Sequence, residues 1–175
     1  MFRRRSQGII AALYGAIVAQ ARSAPFYADY RVPDTVEGRF ELIVLHLVLL
    51  LRRLGRDAAG RQFGQELFDA FCRDMDANLR EMGVGDLAVP KKMQQFGEAF
   101  YGRQSVYVAA LAAADPRDFE RALARNIFQT VGTEEGCVRL ARYGRAAVAA
   151  LDAQEESGLM RGEVAFPKPE AIAHA

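Results

Sequence analysis

The residues that most catalytic and metal chemistry requires are scarce in this sequence. Its 175 residues include two cysteines, Cys72 and Cys137, and no Cys-x-x-Cys pair. That excludes a disulfide scaffold and a thiolate zinc site, and leaves free thiols in a reducing compartment as the expectation. The two histidines, His46 and His174, cannot build a His-rich metal site. No glutamate is followed three residues later by histidine, so the helical di-iron pattern is absent. A phosphate-binding Gly-x-x-x-x-Gly-Lys loop, a dinucleotide glycine fingerprint and a Gly-x-Ser-x-Gly elbow are missing as well. Charge of one sign is lacking too: Lys plus Arg total 23 against 22 Asp plus Glu, a net +1. No global field therefore draws the molecule onto nucleic acid or anionic lipid, and such binding would need a local patch. The most hydrophobic run, Leu42 to Leu51, is about ten residues long and contains His46, whereas a membrane-spanning helix needs about 20. Period-two alternation and Val-Ile-Thr clusters, the marks of strands, are also wanting.

What is present is a chain of one domain's length, 51% hydrophobic and 26% charged, able to bury its own core. Proline and glycine cut it into about six helical segments, so the expected class is all-α, an irregular bundle around a central hydrophobic helix. Arg3 to Arg5, the apolar run Gly8–Ala19 and Ala19-Gln20-Ala21 imitate a secretory signal. The helical spacing of Ile9, Ile10, Leu13, Ile17 and Val18 instead suits an amphipathic helix from near Arg5 to near Ser23 that packs. Residues 24–33, with two prolines and three aromatics, read as an extended or turn loop. Asp34 as N-cap with Glu37 three residues on opens the second helix, which is apolar on all sides and stops at Gly55. It is the candidate central helix.

The third helix is expected over about Asp57 to Met82, with Phe63, Leu67, Phe68, Phe71, Cys72, Met75 and Leu79 on its core face. Gly83-Val84-Gly85 ends it. Pro90 falls in the first turn of the fourth, which carries Met93, Phe96, Phe100, Tyr101 and Tyr107 toward Ala114. Asp115-Pro116 starts the fifth, through Phe119, Leu123, Ile127 and Phe128. A sixth begins near Thr133, with Glu134 and Glu135 favourable against the helix dipole, and runs to about Glu156. The expected division is a helical domain over residues 1–158 and an extended or mobile tail over 159–175.

Candidate chemistry is thin. Asp74 and Asp76 lie two apart, which puts them on different helix faces. Asp69 with Arg73 and Asp76 with Arg80 have the spacing of solvated ion pairs. A cysteine nucleophile would need His46 beside it, yet that histidine's neighbours are leucine and valine, as for a core residue. Arg139, Arg142 and Arg145, with Arg121 and Arg125, make a basic stripe that fits either a solvated face or contact with RNA phosphates. Two alternatives to a binding role stay open at this point: an RNA- or ribosome-binding helical module, and a thiol- or carboxylate-dependent enzyme. By elimination, recognition of another protein leads. The stretches Phe26 to Pro33 and Gly83 to Lys92 hold aromatics and charges between glycines and prolines, the composition of binding loops on a helical scaffold. The same composition also suits loops that fold back and cap the bundle.

These residues carry a resemblance. Tyr14-Gly15-Ala16-Ile17-Val18-Ala19-Gln20-Ala21-Arg22, Phe26-Tyr27, Val32-Pro33-Asp34-Thr35 and Gly38-Arg39-Phe40-Glu41-Leu42 form its first blocks. A longer block runs from Asp74 to Leu87, continues as Val89-Pro90-Lys91-Lys92-Met93 and closes with Glu98-Ala99-Phe100-Tyr101-Gly102-Arg103. In these blocks the sequence resembles the ubiquinol–cytochrome c chaperone family, assembly factors of respiratory complex III in mitochondria and α-proteobacteria. The resemblance implies an all-helical chaperone that is not an enzyme, has no cofactor and takes cytochrome b or another complex III protein as client. Mitochondrial relatives act near the ribosomal exit with a small partner, so ribosome or membrane-surface proximity is implied, and sequence-specific nucleic acid is not. A short N-terminus and an arginine-rich composition point to a bacterial member, cytoplasmic or peripheral at the inner face of the inner membrane. Loop composition and resemblance together give the expected protein-binding residues Phe26, Tyr27, Tyr30, Arg31, Asp74, Asp76, Arg80, Asp86, Lys91, Lys92 and Arg103.

Overall fold

The computed structural model describes residues 2–130 and 135–172. Every regular element among them is helical: α1 Phe2–Ala21, α2 Pro25–Ala28, α3 Val36–Leu54, α4 Ala58–Glu81, α5 Val89–Ala112, α6 Arg117–Leu123, α7 Glu135–Ala153 and α8 Glu156–Leu159. A π-helical turn, Ala124–Phe128, prolongs α6, and a 3-10 turn, Pro169–Ala171, lies near the end.

The organising helix is α3. Its N-cap is Thr35, one residue later than the expected Asp34: the Thr35 backbone is extended and its hydroxyl accepts the Gly38 amide at 3.1 Å. Asp34 stays at the surface and accepts Arg39 Nε at 2.7 Å. From Glu41 to Leu50 every residue of α3 is buried, and α1, α4, α5 and α7 pack around it. An apolar run of this kind is stable only when neighbours cover all its sides. Asp57 repeats the capping device for α4, accepting the Gly60 amide at 2.8 Å.

By length and mean hydropathy, Ser6–Ala28 is the stretch among the described residues that could cross a membrane. Its apolar stripe is nevertheless turned inward, with Ile10, Leu13, Ile17 and Ala21 buried against α3 and α4. The expected loop over residues 24–33 is corrected in part. Pro25 starts the one-turn helix α2, and Phe26, Tyr30 and Val32 enter the core. Two aromatic clusters result. Phe26 meets Tyr30, His46 and Tyr143 edge-on at centroid distances of 5.3, 5.6 and 4.8 Å. On the other side of α3, Phe40, Phe68, Phe71, Phe96 and Phe100 join α3, α4 and α5. Cys72 is half-buried, not a core residue as expected, because α4 turns its fully buried stripe through Phe63, Leu67 and Phe71.

A Schellman motif ends α4: Val84 donates to Leu79 O at 3.0 Å and Gly83 to Arg80 O at 3.0 Å, with Gly83 at φ 82°. The fifth expected helix is broken by the π turn, after which Gln129 adopts a left-handed φ of 54°. The expected start of the sixth at Thr133 and Glu134 lies outside the described residues. Its described part, α7, ends at Ala153, and Glu156 belongs to the separate turn α8. Beyond α8 the chain runs extended yet fastened. Pro169 is buried, Phe166 lies 5.1 Å from the His46 ring, and the amide of Ala165 donates to Gln154 Oε1 at 2.8 Å. Residues 163–168 of this segment are without regular structure, and its contacts hold it along the bundle. An isolated apolar residue carries no periodic signal, but here Phe166 covers the His46 ring.

Candidate functional site

The expected protein-binding residues fall into three environments. Phe26 and Tyr30 are buried, because their rings complete the cluster around His46 and Tyr143. The Tyr30 hydroxyl donates to Pro169 O at 2.7 Å, and the Arg139 guanidinium covers its ring at 4.3 Å. Tyr27 is half-buried and donates to Ala21 O at 2.7 Å.

A second group is committed to other helices. Asp74 turns toward α1 and accepts the Tyr14 hydroxyl at 2.7 Å. Arg103 on α5 reaches across to Glu41 on α3, its Nε 2.8 and 2.6 Å from the two carboxylate oxygens. That carboxylate is 8% exposed, so the pair braces two helices and is not a free rim cation.

The third group stays at the surface. Arg31 is exposed with a left-handed φ of 57°. The rest belong to the α4–α5 hairpin. Asp76 accepts Arg80 Nε at 2.7 Å, and Arg80 also pairs with Asp86, so one guanidinium ties the end of α4 to the turn. The expected Asp76–Arg80 pair therefore forms, whereas Asp69 accepts from Gln65 at 2.8 Å and makes no ion pair with Arg73 among the described residues. Lys91 and Lys92 are exposed in the first turn of α5. Between the clamp and the lysines stand two residues that sequence inspection passed over, Met82 at 70% and Leu87 at 99% exposure. On the adjoining helix Tyr101, Val106 and Val108 are also exposed. The hairpin end therefore offers exposed apolar surface at Met82 and Leu87 close in sequence to two exposed lysines, with Arg80 tying the end of α4 to the turn. The signal available in the sequence was the Leu87 position itself, an apolar residue between two turn motifs with no helical partner.

His46 is not part of a reactive pair. Its Nδ1 lies 2.7 Å from Leu42 O and its Nε2 2.8 Å from the Tyr143 hydroxyl. A carbonyl only accepts, so Nδ1 carries the proton and Nε2 accepts from Tyr143. Tyr143 in turn accepts Gln20 Nε2 at 3.0 Å, and the same amide reaches Pro167 O at 3.0 Å. Burial drives the imidazole pKa down to about 4 against the backbone bond from Leu42, so the ring stays neutral. Burial also pushes the Cys72 thiol up, with Asp69 adding to it. Among the described residues no group of three His, Cys, Asp or Glu could hold a metal ion. The arginine stripe is largely spoken for: Arg139 is 5% exposed, Arg121 pairs with Asp115 and Asp118, and Arg145 donates to Pro116 O at 3.1 Å.

Residues 28–166 match the family model described as ubiquinol-cytochrome C chaperone, most of the chain and all of the hairpin. The chain belongs to the ubiquinol–cytochrome c chaperone family. The structure of the chaperone is similar to the crystal structure of the Cbp3 homolog from Brucella abortus. TM-score is 0.88, sequence identity 36%, and the match covers 98% of this chain and 97% of that one. No curated protein sequence matches this chaperone. The family match begins after α1, whereas the structural match takes α1 in, so the first helix is part of the shared chaperone fold.

Proposed function

We propose that this chaperone receives cytochrome b and holds it for assembly into ubiquinol–cytochrome c reductase, using the end of the α4–α5 hairpin as its contact with the client. The observation that carries the reading is the exposed pair Met82 and Leu87 beside Lys91 and Lys92, on a turn that lies inside the family match. An apolar client gains about 25 cal/mol for each Å² it removes from water, and the lysines favour acidic flanks. No step of this role makes or breaks a covalent bond, and His46 and the half-buried Cys72 are left to structure. The site of action would be the cytoplasmic face of the inner membrane, where a membrane-protein client emerges.

The test is deletion of the gene in its host. Assembled complex III is expected to fall while other respiratory complexes persist, and native gel electrophoresis of solubilised membranes reads both. Wild-type chaperone restores the complex; a Met82→Ser/Leu87→Ser variant, whose thermal melt is unchanged, restores it poorly. Normal complex III in the deletion strain overturns the role, and full rescue by the double variant removes the hairpin from it.

A further inference from the structure

A separate open groove of about 1180 Å³ runs between α1 and α4, on a face the hairpin reading does not use. Ala11 and Tyr14 line it from α1, and Glu66, Asp69, Ala70 and Asp74 from α4. Among the described residues Arg73 is the one cation in its lining. None of the three carboxylates makes an ion pair among the described residues. They accept instead from neutral donors: Glu66 from Ser6, Asp69 from Gln65, and Asp74 from Tyr14 and Asn78. Among the described residues the lining therefore carries three carboxylates against one guanidinium.

Its shape selects the kind of occupant. Both walls are helices, which satisfy their own amides and carbonyls, so an extended peptide would find no row of main-chain partners. A helix brings its hydrogen bonds with it. Ala11 and Ala70 keep the walls low, and a Cβ built at Gly8 or Gly15 on the same helix meets nothing within 4 Å, so a third helix can approach closely. The α4 lining extends from Gln62 to Asp74, about 18 Å at 1.5 Å per residue, or some three helical turns.

We propose that the α1–α4 groove docks a helical segment of a partner protein that carries lysines or arginines along the edge of an apolar face. The site is additional to the hairpin, and it stands or falls whether or not the chaperone's client is cytochrome b. Charge complementarity makes the association salt-dependent and fixes its orientation, while contact with Ala11, Ala70 and the half-buried Tyr14 adds apolar burial.

The test uses the full chain and a fluorescein-labelled 18-residue peptide of leucine, alanine and four lysines, arranged as an amphipathic helix. Fluorescence anisotropy is expected to show saturable binding that weakens at least tenfold when salt is raised from low to a few hundred millimolar. A Glu66→Gln/Asp69→Asn/Asp74→Asn variant, which keeps the acceptors of Ser6, Gln65 and Tyr14, weakens it about tenfold as well. Ala11→Trp, an exposed position that fills the groove, does the same without touching charge, and decides the matter if the triple variant melts early. Met82→Ser/Leu87→Ser leaves peptide binding intact, so failure of the hairpin reading and failure of this one give different results. Absence of saturable binding overturns the proposal. So does equal binding of a scrambled peptide of the same composition, which would report an extended or purely charge-driven ligand. Loss of binding in the hairpin variant overturns it by moving the site. Self-association of the chain that the groove variants abolish would assign the face to a second copy and overturn it too.

Discussion

Burial holds His46 neutral at the centre of the molecule, against the opposing bond to Leu42 O, and the consequence is a pH dependence with a definite sign. The folded imidazole titrates near pH 4 and the unfolded one near 6.5. Between those values the unfolded chain binds the extra proton, so stability is complete above about pH 6.5 and is lost as pH falls toward 4. From pH 7 to pH 5 the loss from this one group is about 2 kcal/mol. Urea titrations at the two pH values are expected to show it in the wild type, and the difference to shrink in His46→Gln. Equal pH dependence in both would mean the ring is hydrated in solution. Sequence inspection placed His46 correctly as a core residue from its leucine and valine neighbours. It could not supply Tyr143, which lies 97 positions away in the chain, because a hydrogen bond across a bundle leaves no mark in local spacing. Arg103 and Phe26 show the opposite failure. Both have the composition of an interface, arginine and aromatic, and both are consumed internally, by Glu41 and by the cluster around Tyr143.

At the level of elements, the helices were legible wherever a periodic stripe met a cap or a breaker. Asp57, Pro90 and the glycines after Met82 bound α4 and α5 close to where periodicity puts them. The misses are short elements without a period, the single turn α2 and the π turn at Ala124–Phe128, and the contacts of the extended segment after α8 had no local signal either. That last segment supplies a prediction. It gives Pro169 O to Tyr30, Pro167 O to Gln20 and the Phe166 ring to His46. Truncation after Glu163 removes two acceptors from largely buried donors and uncovers an aromatic cluster, at an expected loss of about 3–5 kcal/mol. Chemical denaturation of the truncated chain measures it; an unchanged midpoint would show the segment to be loose in solution.

For the molecule as a whole, near-neutral charge and engaged arginines argue against phosphate recognition. Net charge is +1, and Arg121, Arg139 and Arg145 all have partners within the chain. Binding of a generic single-stranded RNA is expected to be weaker than micromolar at 150 mM salt in electrophoretic shift assays, since few phosphates would be neutralised. Tight binding with a steep salt slope would instead favour the RNA- or ribosome-binding reading. Protein contact remains the function the surface supports, with Met82 and Leu87 exposed at the end of the hairpin and three carboxylates in the α1–α4 groove.

The amino-acid order by itself determined the helical class, the central position of the Leu42–Leu51 run and the family resemblance, because caps, breakers and hydrophobic period act within a few residues of one another. Tertiary structure alone decided which aromatics and arginines face solvent. Exposure depends on what packs from elsewhere in the chain: Pro169 over Tyr30, Glu41 against Arg103, and nothing at all over Leu87.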